Sequence, residues 1–81
     1  MDIKVLFFGK VREYIKLNEV DVKLDDSIKL KDLILKLNNN YSLLNNIPNI
    51  NYSINQEYIY DYNTTLNNND TVALIPPISG G

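Results

Sequence analysis

The chain has 81 residues, with 8 Lys and Arg against 10 Asp and Glu, and no Cys, His or Trp. That length suits one small domain and excludes a multidomain enzyme. The missing residue types remove a disulfide framework, a thiolate nucleophile, an imidazole base and the usual zinc ligands. The formal net charge of −2 argues against a nucleic-acid footprint.

Ile3 to Phe8 reads as a strand of β-branched and aromatic residues. Alternate residues face opposite sides, so Ile3, Val5 and Phe7 share one face and Lys4, Leu6 and Phe8 the other. Both faces are largely apolar, which predicts that a partner covers the face the core leaves free. Lys4 interrupts the run and no small-residue cleavage site follows, so a secretory signal is not expected. No apolar run approaches the roughly 20 residues of a membrane span, and the expected compartment is the cytoplasm.

Gly9 ends the strand, and Val11 to Leu17 predicts a short helical turn with Val11, Tyr14 and Ile15 on one side. Val20, Val22 and Leu24 alternate with Glu19, Asp21 and Lys23, which predicts a half-buried strand paired with the first. Leu30, Leu33, Ile34 and Leu37 then form one helical stripe. Asp25, Asp26 and Ser27 precede it, where carboxylates suit the positive end of the helix dipole. Asn38–Asn40 are expected to stop this helix, with a further turn over Tyr41 to Asn46. The Asn runs, including Asn45–Asn46 and Asn67–Asn69, are expected to collect in loops, because Asn tolerates left-handed φ.

Tyr52 to Asn55 and Tyr58 to Tyr60 predict two short strands around Gln56–Glu57. Tyr52, Tyr58, Tyr60 and Tyr62 could stack bases, but without interleaved basic residues sheet packing and interface are the better reading. Asn67 to Asp70 predict a polar turn and Thr71 to Ile75 the last strand. The expected core is Ile3, Val5, Phe7, Val22, Leu33, Leu37, Val72 and Leu74. The fold class is α+β, a run of antiparallel strand pairs with one main helix laid on one face.

The sequence ends Pro76, Pro77, Ile78, Ser79, Gly80, Gly81. The two prolines fix φ and cannot donate to a sheet ladder, so a stiff arm should leave the body there. Residues 1–75 are therefore expected to form the domain and residues 76–81 an extended tail, reaching roughly 20 Å. The glycines allow close approach to another protein. What they deliver is the α-carboxylate of Gly81, ionised at neutral pH given a reference pKa of about 3.3–3.7. Attack on the α-phosphate of ATP would give an acyl-adenylate, and a sulfur donor could then displace AMP to leave a thiocarboxylate. This chemistry needs no Cys or His in the carrier. A diglycine alone is a weak signal; Pro-Pro, the strand before it and the small body make it specific.

With those features in place, the sequence resembles the small subunit of molybdopterin synthase, the MoaD-type sulfur carriers of the ubiquitin-like β-grasp superfamily. The resemblance rests on the opening Ile3-Lys4-Val5-Leu6-Phe7-Phe8-Gly9-Lys10-Val11-Arg12-Glu13, on Ile54-Asn55-Gln56, and on the closing stretch from Asp70 to Gly81. It implies a β-grasp fold with a mixed sheet, adenylation and thiocarboxylation at Gly81, and entry of Gly80 and the preceding tail residues into a partner's pocket. It further implies that Phe8, Tyr58, Ile75 and Arg12 contact the large synthase subunit, although Arg12 could instead serve a structural ion pair. The implied partners are that large subunit, in a heterotetramer, and an E1-like enzyme that handles ATP; no cofactor is held permanently. The carrier is then a cosubstrate, with catalytic groups on the large subunit. Two other readings stay open: a sulfur carrier for thiamine synthesis or tRNA thiolation, and a ubiquitin-like interaction module without sulfur chemistry.

Overall fold

The computed structural model describes residues 1–25 and 28–77. Its elements are β1 (Asp2–Phe7), α1 (Gly9–Ile15), β2 (Glu19–Lys23), α2 (Leu30–Asn40), a 3₁₀ helix over Ser42–Asn46, β3 (Asn51–Ile54), β4 (Glu57–Ile59) and β5 (Thr71–Ile75). The five strands form one mixed sheet in the order β2-β1-β5-β3-β4. β1 runs antiparallel to β2 and parallel to β5, while β3 is antiparallel to both β5 and β4. This is the ubiquitin-like β-grasp arrangement that the sequence implies.

Register carries the alternation of β1 across the sheet. Val5 lies beside Val20 and Val72, and Phe7 beside Leu74. Leu74 in turn faces Tyr52, and Val72 faces Ile54. These side chains share the face that packs on Leu30, Leu33 and Leu37 of α2. All eight residues expected in the core are buried. Val11, Leu44, Ile47 and Leu66 join them from outside the sheet.

Two expectations need correction. α2 does end with the Asn38–Asn40 run, but these residues are its last turn and do not lie in a loop. Asn has only a modest helix penalty, and Leu37 is buried in the core within the same turn while Tyr41 N–H donates to Leu37 O at 2.8 Å. Asp25 precedes α2 as expected, and the acidic residue of its first turn is Asp32, whose Oδ2 accepts from Lys29 N–H at 3.1 Å. Asp26 and Ser27 lie outside the described residues. The β3–β4 turn is Asn55–Gln56, one residue earlier than expected, with φ of 51° and 71°. A two-residue hairpin needs positive φ at both positions, as in a type I′ turn.

The remaining start of α2 is satisfied from the 60–70 loop. Leu30 N–H donates to Thr64 O and Lys31 N–H to Tyr62 O, both at 2.9 Å. Leu66, from the same loop, is fully buried. Leu66→Ala should therefore cost about 2–5 kcal/mol through the lost packing and the cavity left behind. Leu35→Ala, on the 62% exposed Leu35, should stay within about 0.5 kcal/mol. Urea unfolding of the two variants measures the contrast.

Candidate functional site: the uncovered sheet face and the root of the tail

The sheet face opposite α2 is divided by chemistry. On the β2 side it is charged: Lys4 lies 3.6 Å from Glu19 and Lys23 lies 3.7 Å from Asp2. Toward β3 and β4 it becomes apolar. One transverse row runs Leu6, Ala73, Ser53, Tyr58, set by the pairings Leu6↔Ala73, Ser53↔Ala73 and Ser53↔Tyr58. Phe8 and Ile75 stand beside this row, and Thr71, Asn55 and Gln56 complete the lining of one shallow depression.

The floor and rim of that depression differ in size. Ser53 and Ala73 are only 5% and 6% exposed, whereas Phe8 and Tyr58 are 43% and 50% exposed. Small side chains at the centre sink between large ones at the edge. The result is an apolar hollow able to accept a side chain from another protein. Phe8 follows β1 directly with extended backbone (φ −123°, ψ 157°), so the alternation of β1 carries through it. Its N–H donates to Leu74 O at 3.2 Å, which ties it to β5.

Polar residues at the other end of β5 hold this face in register. Asn55 Nδ2 donates to Asp70 Oδ1 at 2.9 Å, and Asn55 Oδ1 accepts from Thr71 N–H at 2.9 Å. Asp70 Oδ2 accepts from Asn67 N–H at 2.8 Å. Asn55 and Asp70 thus clamp the β3–β4 turn to the start of β5. Their place in the sequence motifs is accounted for by this clamp.

Phe8, Tyr58 and Ile75 are brought to one surface. Arg12 is not among the residues lining this depression; it is exposed on α1, and neither described ion pair includes it. The Tyr residues do not form one platform. Tyr52 lies in the core, 5.5 Å from Tyr62 in an edge-on contact, while Tyr58 lies on the uncovered face. Ser53 and Ala73 were absent from the sequence-predicted site. Pro76 and Pro77 leave the end of β5, next to Ile75 and Phe8 in a second groove that also includes Gly9 and Ile47. Ile78, Ser79, Gly80 and Gly81, the last of which is the residue expected to carry the acyl chemistry, lie outside the described residues. Among the described residues no three His, Cys, Asp or Glu side chains are grouped to hold a metal ion, and no helix is long and apolar enough to cross a membrane.

The profile of the ThiS family matches residues 5–81. The chain belongs to the ThiS family. Within this family setting, it is 39% identical over 82 residues to the molybdopterin synthase sulfur carrier subunit of Dictyostelium discoideum, covering 96% of this chain and 94% of that one. Among solved structures it matches a chain in the complex of subunits 1 and 2 of molybdopterin-converting factor from Helicobacter pylori, with 30% identity, a TM-score of 0.75 and full coverage of both chains. SAMP1 from Haloferax volcanii shares the fold over the full length of both chains, with a TM-score of 0.87 at 22% identity.

Burial, with a smaller effect from Tyr62, pushes the Tyr52 hydroxyl of this ThiS-family protein up from 10.0 to about 12. The folded chain therefore keeps a proton that the unfolded chain releases above pH 10. Stability contributed by Tyr52 is fully present below pH 10 and is lost as pH rises through about 12. Tyr52→Phe should flatten the fall in urea midpoint across that window, measured against wild type at matched pH values.

Proposed function

We propose that this chain is the sulfur carrier subunit of a molybdopterin synthase. The observation that carries this reading is the uncovered apolar hollow beside the root of a Pro-Pro-Ile-Ser-Gly-Gly tail, on a chain of the ThiS family. The naming of the Dictyostelium relative and the two-subunit Helicobacter complex support the same reading. An E1-like enzyme would adenylate the Gly81 carboxylate using ATP. The carboxylate oxygen attacks the α-phosphorus, pyrophosphate leaves, and a sulfur donor then displaces AMP to form the thiocarboxylate. The large synthase subunit would dock on Phe8, Tyr58 and Ile75 and receive Gly80 and Gly81 in its active site, as one half of a heterotetramer. The cytoplasm is the matching compartment.

The physical role of the body is then to hold the tail root in a fixed relation to the docking face. Phe8 and Ile75 flank the hollow, and Ile75 is joined directly to Pro76. Docking energy is expected to come from the rim aromatics, where burial of a large apolar side chain is worth roughly 1.5–3 kcal/mol. The exposed charged half of the sheet would contribute little, since surface ion pairs are worth about 0–1 kcal/mol.

Incubation with the adenylating enzyme, ATP and a sulfur source should replace one C-terminal oxygen by sulfur, read by intact mass. An unchanged mass beside an active control carrier would overturn the proposal. One residue added after Gly81 should leave docking almost intact and abolish sulfur delivery; cofactor synthesis by the extended chain would speak for an interaction module instead. Recovery of a thiazole synthase in place of a pterin-binding subunit would move the chain to the thiamine pathway. Ala73→Leu, which fills the hollow from its floor, should weaken binding of the large subunit about tenfold or more, measured by calorimetry.

A further inference from the structure

Gly9 is the one described glycine, and its backbone lies in the left-handed region at φ +52°. A Cβ placed on it would lie 3.0 Å from Pro76 Cγ and 3.6 Å from Pro76 Cδ. The first distance is tighter than ordinary side-chain contact, so the neighbour would have to give by a few tenths of an ångström. The neighbour here is a proline ring. A ring closed onto its own backbone cannot swing aside as a flexible side chain does; it can give only by a change of pucker at Cγ or by movement of the main chain at residue 76, and a side chain on Gly9, already strained at this φ, would press on both.

The contact lies between two segments that are already fixed. Phe8, one residue before Gly9, is tied to Leu74 by its N–H, and the β1–β5 ladder pairs Phe7 with Leu74. Pro77 follows Pro76 and also has a fixed φ. Five residues follow Pro76, ending at Gly81, with a fully extended reach of about 17 Å. A tilt at the root therefore redirects the segment that carries Gly81. Gly9 was read from sequence only as a strand terminator; the structure places it against the tail.

We propose that Gly9 is a positioning residue for sulfur transfer: its missing side chain seats the Pro76 ring and sets the direction in which the tail leaves the body. This rests on the sulfur-carrier reading for its consequence, though not for its geometry. Gly9 touches no reacting atom and acts through Pro76. Gly9 does not line the hollow formed by Phe8, Tyr58 and Ile75, although it shares the second groove with Phe8 and Ile75, so a change at Gly9 should slow transfer far more than it weakens affinity. Misplacement of reacting groups by about 1 Å costs on the order of 100-fold, and a shift of a few tenths should cost about tenfold.

The test uses the full chain with its large subunit. Gly9→Ala should leave the dissociation constant within about twofold and slow single-turnover sulfur transfer about tenfold. Gly9→Asn adds the same Cβ on a residue that tolerates left-handed φ, and takes the place of Gly9→Ala if that variant does not fold. Combining either change with Pro76→Ala removes the ring and should restore the rate to that of Pro76→Ala alone. Wild-type transfer by a folded Gly9 variant overturns the proposal, as does a slow variant that loss of the ring does not rescue. Nuclear Overhauser contacts between Gly9 Hα and Pro76 Hγ, expected in wild type, give a readout free of sulfur chemistry. Their absence overturns the seat. Their presence in a chain that never acquires sulfur supports the seat and defeats the sulfur-carrier reading.

Discussion

The parallel pairing of β1 with β5 is the constraint on which the rest of the structure depends. It joins residues near the two ends of the sequence at the middle of the sheet, with Lys4↔Thr71 through Phe7↔Leu74 in register. That register decides which side chains meet α2 and which face outward. It puts Val5 and Val72, then Phe7 and Leu74, into one core, and it leaves Leu6 beside Ala73 on the other face. A slip of one residue would exchange the two faces entirely. The core and the uncovered hollow are therefore two consequences of one ladder.

Polar interactions guard that register at both ends. At the start of β5, Asn55 and Asp70 connect the β3–β4 turn to the strand. Asp2 adds a second tie: its O accepts from Asn69 N–H, and its N–H donates to Asn68 Oδ1, each at 2.7 Å. At the far end, the Phe8 N–H bond to Leu74 O ties the end of β1 to β5, and Gly9 lies where a side chain would crowd Pro76. None of these groups is reactive chemistry. Their effect is to transmit the position of the sheet face to Pro76 and Pro77, which suits a protein whose own chemical contribution would be a main-chain carboxylate.

Much of this was legible in the sequence because alternation is a strong signal in short strands. Ile3, Val5 and Phe7 identified the core face of β1, and Phe8 and Ile75 the outer one. Elsewhere the pattern was too thin. Leu66 sits alone among polar residues, and no period marks it as buried, yet it fills the space beneath the 60–70 loop. The Asn38–Asn40 run misled because residue propensity is weaker than the packing of the helix that contains it. The hollow was only half visible: its rim is made of large side chains, whereas its floor depends on Ser53 and Ala73 being small and opposite each other. Two small residues in neighbouring strands carry no message until their register is known.

The central place of β5 bears on how the protein is made. β5 is the last strand in chain order and the third across the sheet, so a growing polypeptide can close α1, the β1–β2 hairpin and α2 well before it owns the strand that unites the two halves. Until Thr71–Ile75 has been synthesised, β1 and β3 each expose a bare edge. Long-range pairing of this kind slows folding relative to local contacts, and unpaired edges are where association of incomplete chains begins.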